Sequence, residues 1–225
     1  KKENLTALFR AIAAEQELYV PVKSAGKVNF GPWSEDAEVD IDTLKSVKSP
    51  KDIFFPQSEN LYTCEREGRK LKVEPEALKE QKFTVFGMRA CDVQGVKVLD
   101  QVFLADPVDS FYAARRKHGT MVAIACHEPE ESCFCKVFGI DCAEPAADVA
   151  AWFAGEELYW KAVTEKGELL TEQVKVLLTE ADASEEEKIE QAQLRKEYIA
   201  TIKMNLRNQL DNIDVKEADG TVVNL

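Results

Sequence analysis

Histidine and positive charge are both scarce in this sequence. Two histidines serve 225 residues, and neither has a serine nearby in a nucleophile turn, so no Ser/His/Asp set can be assembled. Lys and Arg number 29 against 41 Asp and Glu, a net charge of −12. That balance argues against a nucleic-acid backbone or an anionic membrane surface as the main partner. No run of about 18 apolar residues occurs, so no helical membrane span is expected. Neither G-x-G-x-x-G nor a P-loop is present. The paired C-x2–4-C knuckles that usually supply structural zinc ligands are missing as well. The opening KKENLTALFRAIAAE is interrupted by Arg10 and Glu15 and has no cleavage signal after it, so it reads as an amphipathic helix, not a secretory signal. It also lacks an initiator Met, which predicts a processed, trimmed or partial chain. A cytoplasmic setting is expected.

Cysteine is what remains. Six are present: Cys64, Cys91, Cys126, Cys133, Cys135 and Cys142. Three crowd into ACHEPEESCFCK, residues 125–136. A chain this long, 45% hydrophobic, folds without disulfide staples. Cys133 and Cys135 are too close in sequence to pair without strain. In a reducing compartment such a group binds metal or does redox chemistry.

The hydrophobic pattern predicts an α/β domain with a mixed sheet. A helix is expected over residues 4–17, with Asn4 or Thr6 as cap. Two short strands follow, LYVPV and KVNFGPW, around a turn containing Gly26. SEDAEVDID reads as a solvated acidic loop, and KSPKDIFFPQSENLYTC as irregular structure packed on the body. KFTVFGM (residues 82–88) and TMVAIAC (residues 120–126) read as buried strands. Between them, Val93, Val96, Leu99 and Phe103 fall at helical spacing, and Ser110 is placed to cap a second helix closed by Gly119. Strand–helix–helix–strand is the pattern of a right-handed crossover between parallel strands. DVAAWF and ELYWKAV predict a hairpin around Gly155, and TEQVKVLLTEA a helix. A long charged helix is expected over residues 184–210. The domain reading is residues 1–180 as the α/β body and 181–225 as a helical extension or linker.

The crossover supplies a fourth thiol. Cys91 follows one strand of the pair and Cys126 ends the other. Parallel strands would bring both to the carboxyl edge of the sheet, where α/β proteins place their sites. Cys91 also stands beside a helix start, where amide N–H groups favour negative charge. Four thiolates suit iron–sulfur or zinc equally by softness. The one-residue gap between Cys133 and Cys135 would crowd a single ion, and suits a cube-shaped cluster with iron at separated corners. Spacing therefore favours iron–sulfur, with structural zinc in a non-redox interaction module, or redox-active or plain structural thiols, still open. Phe134, Phe138 and Met88 are candidates for an apolar shell. Arg89, Arg115 and Arg116 are candidates for raising a cluster's potential, against an equal reading as salt bridges. Cys142 is a possible substitute ligand, Cys64 an ordinary small side chain on a strand, and His127 a hydrogen-bond donor or surface residue.

FGMRACDVQGVKVLDQVFLADPVDSFYAARR, ACHEPEESCFC and ADVAAWFAGEELYWKAVTEKGELL resemble the iron–sulfur beta subunits of sulfhydrogenases and the related electron-transfer subunits of anaerobic sulfite reductases. Subunits of the same kind accompany heterodisulfide-reductase-like complexes. The resemblance runs from about residue 50 to 180. It implies an electron carrier inside a multisubunit anaerobic oxidoreductase, with a 4Fe–4S cluster on Cys91, Cys126, Cys133 and Cys135. The partners it implies are a flavin- or nicotinamide-handling subunit, together with another iron–sulfur or catalytic subunit. Members usually continue into a ferredoxin-like domain with C-x2-C-x2-C-x3-C runs. This sequence has none before Leu225, so that domain is expected to be missing or supplied by a partner.

Overall fold

The structure, a computed structural model, describes residues 4–179 and the strands Asp214–Lys216 and Val222–Asn224. Helix α1 (Leu5–Ala13) buries Leu8, Phe9 and Ile12. It stops short of residue 17 because Glu17 already pairs with Phe83 in the sheet. Strands β1 (Glu17–Ser24) and β2 (Lys27–Pro32) form a hairpin. Its two turn residues, Ala25 and Gly26, both have positive φ, the conformation whose twist matches the flanking strands. A short helix α2 (Lys51–Phe54) lies inside the segment expected to be irregular. After it, β3 (Tyr62–Glu67) and β4 (Lys70–Pro75) make a separate two-stranded hairpin with every residue exposed. The sequence reading puts Cys64 on a strand but not the hairpin, whose apolar face of Tyr62, Cys64, Leu71 and Val73 is short and exposed.

The rest of the fold follows the expected crossover. Strand β5 (Phe83–Met88) leads into α3 (Ala90–Phe103) and α4 (Ser110–His118), and the chain returns as β6 (Gly119–Ile124), parallel to β5. The α4 cap is Asp109, not Ser110; its carboxylate accepts the Tyr112 N–H at 2.8 Å. Strands β7 (Val149–Ala154) and β8 (Glu157–Ala162) close the sheet as a hairpin. Helix α5 (Glu165–Val174) starts earlier than expected because Thr164 caps it, and a 3-10 turn, Lys175–Leu177, ends it. The six strands run in the order β2-β1-β5-β6-β7-β8. The inner four are parallel and the two outer pairs antiparallel, so the sheet is mixed. Strands β9 (Asp214–Lys216) and β10 (Val222–Asn224) pair antiparallel. The expected helix over residues 184–210 lies outside the described residues.

Alternation on the strands divides the core in two. Val122 and Ile124 of β6 face α1 and α5 with Leu8, Phe9, Ile12, Leu170 and Val174. Met121 and Ala123 face the other way, toward Phe54, Val93, Val96 and Tyr112 on α2, α3 and α4. The sheet is thus covered on both faces, as parallel strands require. Two contacts fix the layers. Asp148, buried ahead of β7, accepts the Met121 N–H at 2.8 Å and the Thr164 hydroxyl at 2.7 Å. Gly167 lies so close to the Asp148 backbone that a Cβ there would sit 2.0 Å from its carbonyl oxygen.

Candidate functional site

The carboxyl ends of β5 and β6 adjoin, with Met88 paired to Ala123. Gly87, at φ +94°, sits in a register shift between Phe86 and Met88. Such a bulge re-aims the end of a strand, here the segment Arg89–Ala90–Cys91. Cys91 is the second residue of α3, which begins at Ala90, two positions further in than the expected place just before the helix. Asp92 secures that turn: its carboxylate accepts the Arg89 N–H at 3.1 Å and the Ser49 hydroxyl at 3.1 Å. Burial pushes the Asp92 carboxyl above the usual carboxylate range, with these hydrogen bonds opposing.

Cys126 stands two residues past the end of β6. The chain from there to β7 is a parallel connection with no helix, only turns. Loops of this length inside a compact domain are uncommon and usually functional. Turn hydrogen bonds hold this one: Cys133 N–H to Glu130 O, Phe138 N–H to Cys135 O and Ile140 N–H to Cys135 O. The Cys126 N–H donates to Cys142 O at 3.0 Å, which folds the far end of the loop back onto the strand end.

Each of the four expected thiols lies in the electrostatic field of at least one other. Cys91 and Cys135 are within hydrogen-bond reach of each other, and Cys91 also lies in the electrostatic field of Cys126. Cys126 in turn feels Cys135 and Cys133. Cys135 is buried with Ala90 and Cys142, and Cys126 and Ile140 pack against them. The Cys91 thiol is driven far above its ordinary range, first by its hydrogen bond with Cys135, then by partial burial. Burial pushes Cys126 up to about 11; Arg89 opposes, and the neighbouring thiols and Asp92 add to the rise. Crowded, desolvated thiols of this kind are not arranged as free nucleophiles, which need a lowered pKa. A strongly cationic centre would reverse the balance, since it deprotonates coordinating thiols outright.

Among the described residues, no group of three or more His, Cys, Asp or Glu side chains is disposed to hold a metal ion. Structural zinc, whose four ligands converge on one point, therefore gains no support. A four-iron cluster takes one thiolate at each of four separate iron atoms. Its demand is four thiols of matching softness, and Cys91, Cys126, Cys133 and Cys135 are all cysteines without a disulfide.

Several neighbours differ from expectation. Phe134 and Phe138, on either side of the buried Cys135, are 42% and 73% exposed. Met88 is fully buried in the core under α3 and α4. Ala90, Ile140 and Cys142 line the thiols instead. Arg115 and Arg116 sit at the end of α4, at the amino edge of the sheet. Arg115 donates to Phe54 O and pairs with Glu59, while Arg116 pairs with Asp100. Both are structural there, and only Arg89 lies in the field of the thiols. Its guanidinium donates to Ile41 O at 2.6 Å and Thr43 O at 3.3 Å. That draws the loop of residues 40–48 toward the site and brings in Lys45, which no local pattern in the sequence marked. Cys64 is exposed on β3, opposite Val73. His127 is half-buried.

Fold and site together describe an α/β protein with a thiol centre at the carboxyl edge of its sheet. Among known proteins the chain is similar to Sulfhydrogenase 2 subunit beta of Pyrococcus furiosus. The two are 29% identical over 147 residues, which cover 65% of this chain and 42% of that protein. The resemblance noted in the cysteine segments thus extends to a curated relative, of whose length this chain spans less than half. Separately, residues 178–224 match a family described as "Bacterial protein of unknown function (DUF896)". No solved structure matches the chain.

Proposed function

We propose that this chain is an iron–sulfur electron-transfer subunit of a multisubunit anaerobic oxidoreductase of the hydrogenase type. The observation that carries the proposal is that Cys91, Cys126, Cys133 and Cys135, from two strand ends and one long loop, each lie in the electrostatic field of at least one other. The similarity to a sulfhydrogenase beta subunit supports it. These four residues would hold a 4Fe–4S cluster, which when bound supplies one-electron uptake and release. The protein's own part is to fix the thiols on a rigid sheet edge and to limit water around them. Cys135 and Cys126 lie on the buried side, with Ala90 and Ile140 behind them. Cys91 is exposed and Cys133 half-buried, so Cys91 marks the side open to a partner. The electron-handling body is residues 1–180, with residues 181–225 as an extension. Its partners are a flavin- or nicotinamide-handling subunit, together with a further iron–sulfur or catalytic subunit.

Anaerobically purified protein tests this directly. It should be brown and contain about four iron and four sulfide per chain. Stoichiometric zinc without sulfide, in colourless protein, overturns the reading in favour of a non-redox module.

A further inference from the structure

The loop that carries Lys45 is held in place from several sides. Thr43 donates its N–H and its hydroxyl to the Asp40 carboxylate, each at 3.0 Å. The carbonyls of Ile41 and Thr43 accept the Arg89 guanidinium. The Val47 N–H donates to Val28 O, and the Lys48 N–H to the Asn29 side chain, each at 2.9 Å. Between these anchors the Lys45 ammonium reaches the segment that joins Cys126 to Cys133. It pairs with Glu130 at 2.9 Å and hydrogen-bonds the Ser132 hydroxyl. It also lies in the electrostatic field of Cys133 and Cys91. Glu130 first, and then these thiols, hold its pKa above the ordinary lysine range. Lys45 is therefore a cation held beside the exposed Cys91 and the half-buried Cys133.

We propose that Lys45 and Glu130 form a charge pair that sets the reduction potential of the centre, Lys45 raising it and Glu130 limiting the rise. This rests on the iron–sulfur reading above. A four-thiolate centre gains one negative charge when it takes an electron from a one-electron donor. A fixed cation nearby stabilises that reduced form more than the oxidised one. Glu130 partly cancels the cation, so neutralising either partner has opposite consequences. A mere mechanical latch behaves differently. Breaking it from either end loosens the same loop and admits the same water, so both variants shift the potential in one direction.

Anaerobic reductive titration of the full chain with dithionite and mediator dyes, followed by visible absorption and electron paramagnetic resonance, separates these cases. Lys45→Gln should lower the reduced-to-oxidised ratio at fixed potential by about tenfold, ~59 mV for a one-electron couple. Glu130→Gln should raise it. Lys45→Arg, which keeps the charge, should match the parent. Lys79→Gln makes the same charge change on the Glu17 ion pair at the opposite edge of the sheet and should also match. Unchanged ratios in Lys45→Gln and Glu130→Gln, or shifts of one sign in both, overturn the inference while leaving the iron–sulfur reading intact. If Lys45→Gln does not retain iron, a rise in Glu130→Gln with parent behaviour in Lys45→Arg sustains the inference, and any other result overturns it. A parent protein without iron and sulfide removes the iron–sulfur reading and this inference with it.

Discussion

Cys91 is the residue on which the ligand set turns. It comes from a different strand than the other three thiols, and it meets Cys135 directly. Cys91→Ser should therefore lose the cluster, because three thiolates leave one iron corner without its thiolate. Cys142 is the nearest competitor, buried beside Cys135 and Cys126. Its thiol is turned toward the carbonyl of Ile140, 3.8 Å away, and its backbone already serves Cys126. Cys142→Ala removes one small buried atom, at a cost of order 1 kcal/mol, and should keep the cluster. Cys64→Ala, on the exposed β3, should keep it too. Iron and sulfide per chain, with the visible spectrum, check all three. Bleached Cys142→Ala beside brown Cys91→Ser would exchange the roles of the two residues. A sequence gives the identity of such thiols but little of their surroundings. Cys91 could be placed because it follows a strand whose apolar run was plain. Lys45 could not, because the contacts that bring it to the site, Arg89 to Thr43 across 46 residues and Lys45 to Ser132 across 87, are all long-range.

At the scale of elements, the crossover was the legible part. The strands β5 and β6 are buried at every position, and uninterrupted apolar runs of that kind announce themselves. Helix α3 repeats its apolar residues at helical spacing against the same core, and α4 adds Tyr112 to it. Elements with little burial were not legible. The β3–β4 hairpin carries charge along one face and is exposed throughout, and helix α2 is a single turn. Helix α5 was misplaced by several residues because its cap and close contact, Thr164 and Gly167, precede its apolar stripe. Gly167 gives a test of how α5 is held. A methyl group there would strike the Asp148 carbonyl, which already accepts the Val163 N–H at 2.9 Å and the Thr164 N–H at 3.3 Å. Gly167→Ala gains helix propensity of about 1 kcal/mol but forces α5 off the sheet. The net expectation is a loss of about 2 kcal/mol, read by urea unfolding of parent and variant carrying equal iron. A more stable Gly167→Ala protein would mean that α5 sits farther from the sheet.

The whole molecule presents a surface suited to being one part of something larger. Phe134, Val137 and Phe138 stand 42%, 61% and 73% exposed on the loop that carries Cys133 and Cys135. Glu128, Glu130, Glu131 and Glu144 surround that loop on the same stretch of chain. Leu61, Tyr62, Leu71 and Val73 are exposed on and beside the β3–β4 hairpin, and an isolated two-stranded hairpin is marginally stable in water by itself. Grouped apolar exposure of this kind marks interaction surfaces. An electron carrier of the proposed kind has no use without a donor and an acceptor close to its centre, and the loop bearing Cys133 and Cys135 also bears one of those patches. The chain should therefore be found in a stable complex with a flavoprotein or another iron–sulfur protein. Native mass measurement of the untagged protein from its source, grown anaerobically, checks this. The isolated chain, loaded with iron and sulfide, should accept and release electrons with small dyes. It should show negligible hydrogen evolution, sulfite reduction or nicotinamide oxidation, since the role proposed for it is to pass electrons between partners' catalytic sites. In the complex, residues 134–138 should be protected from surface labelling that modifies them in the free chain. A free monomer in the source cells, or robust turnover by that monomer, would sink the subunit reading and make the apolar patches features of a stand-alone enzyme.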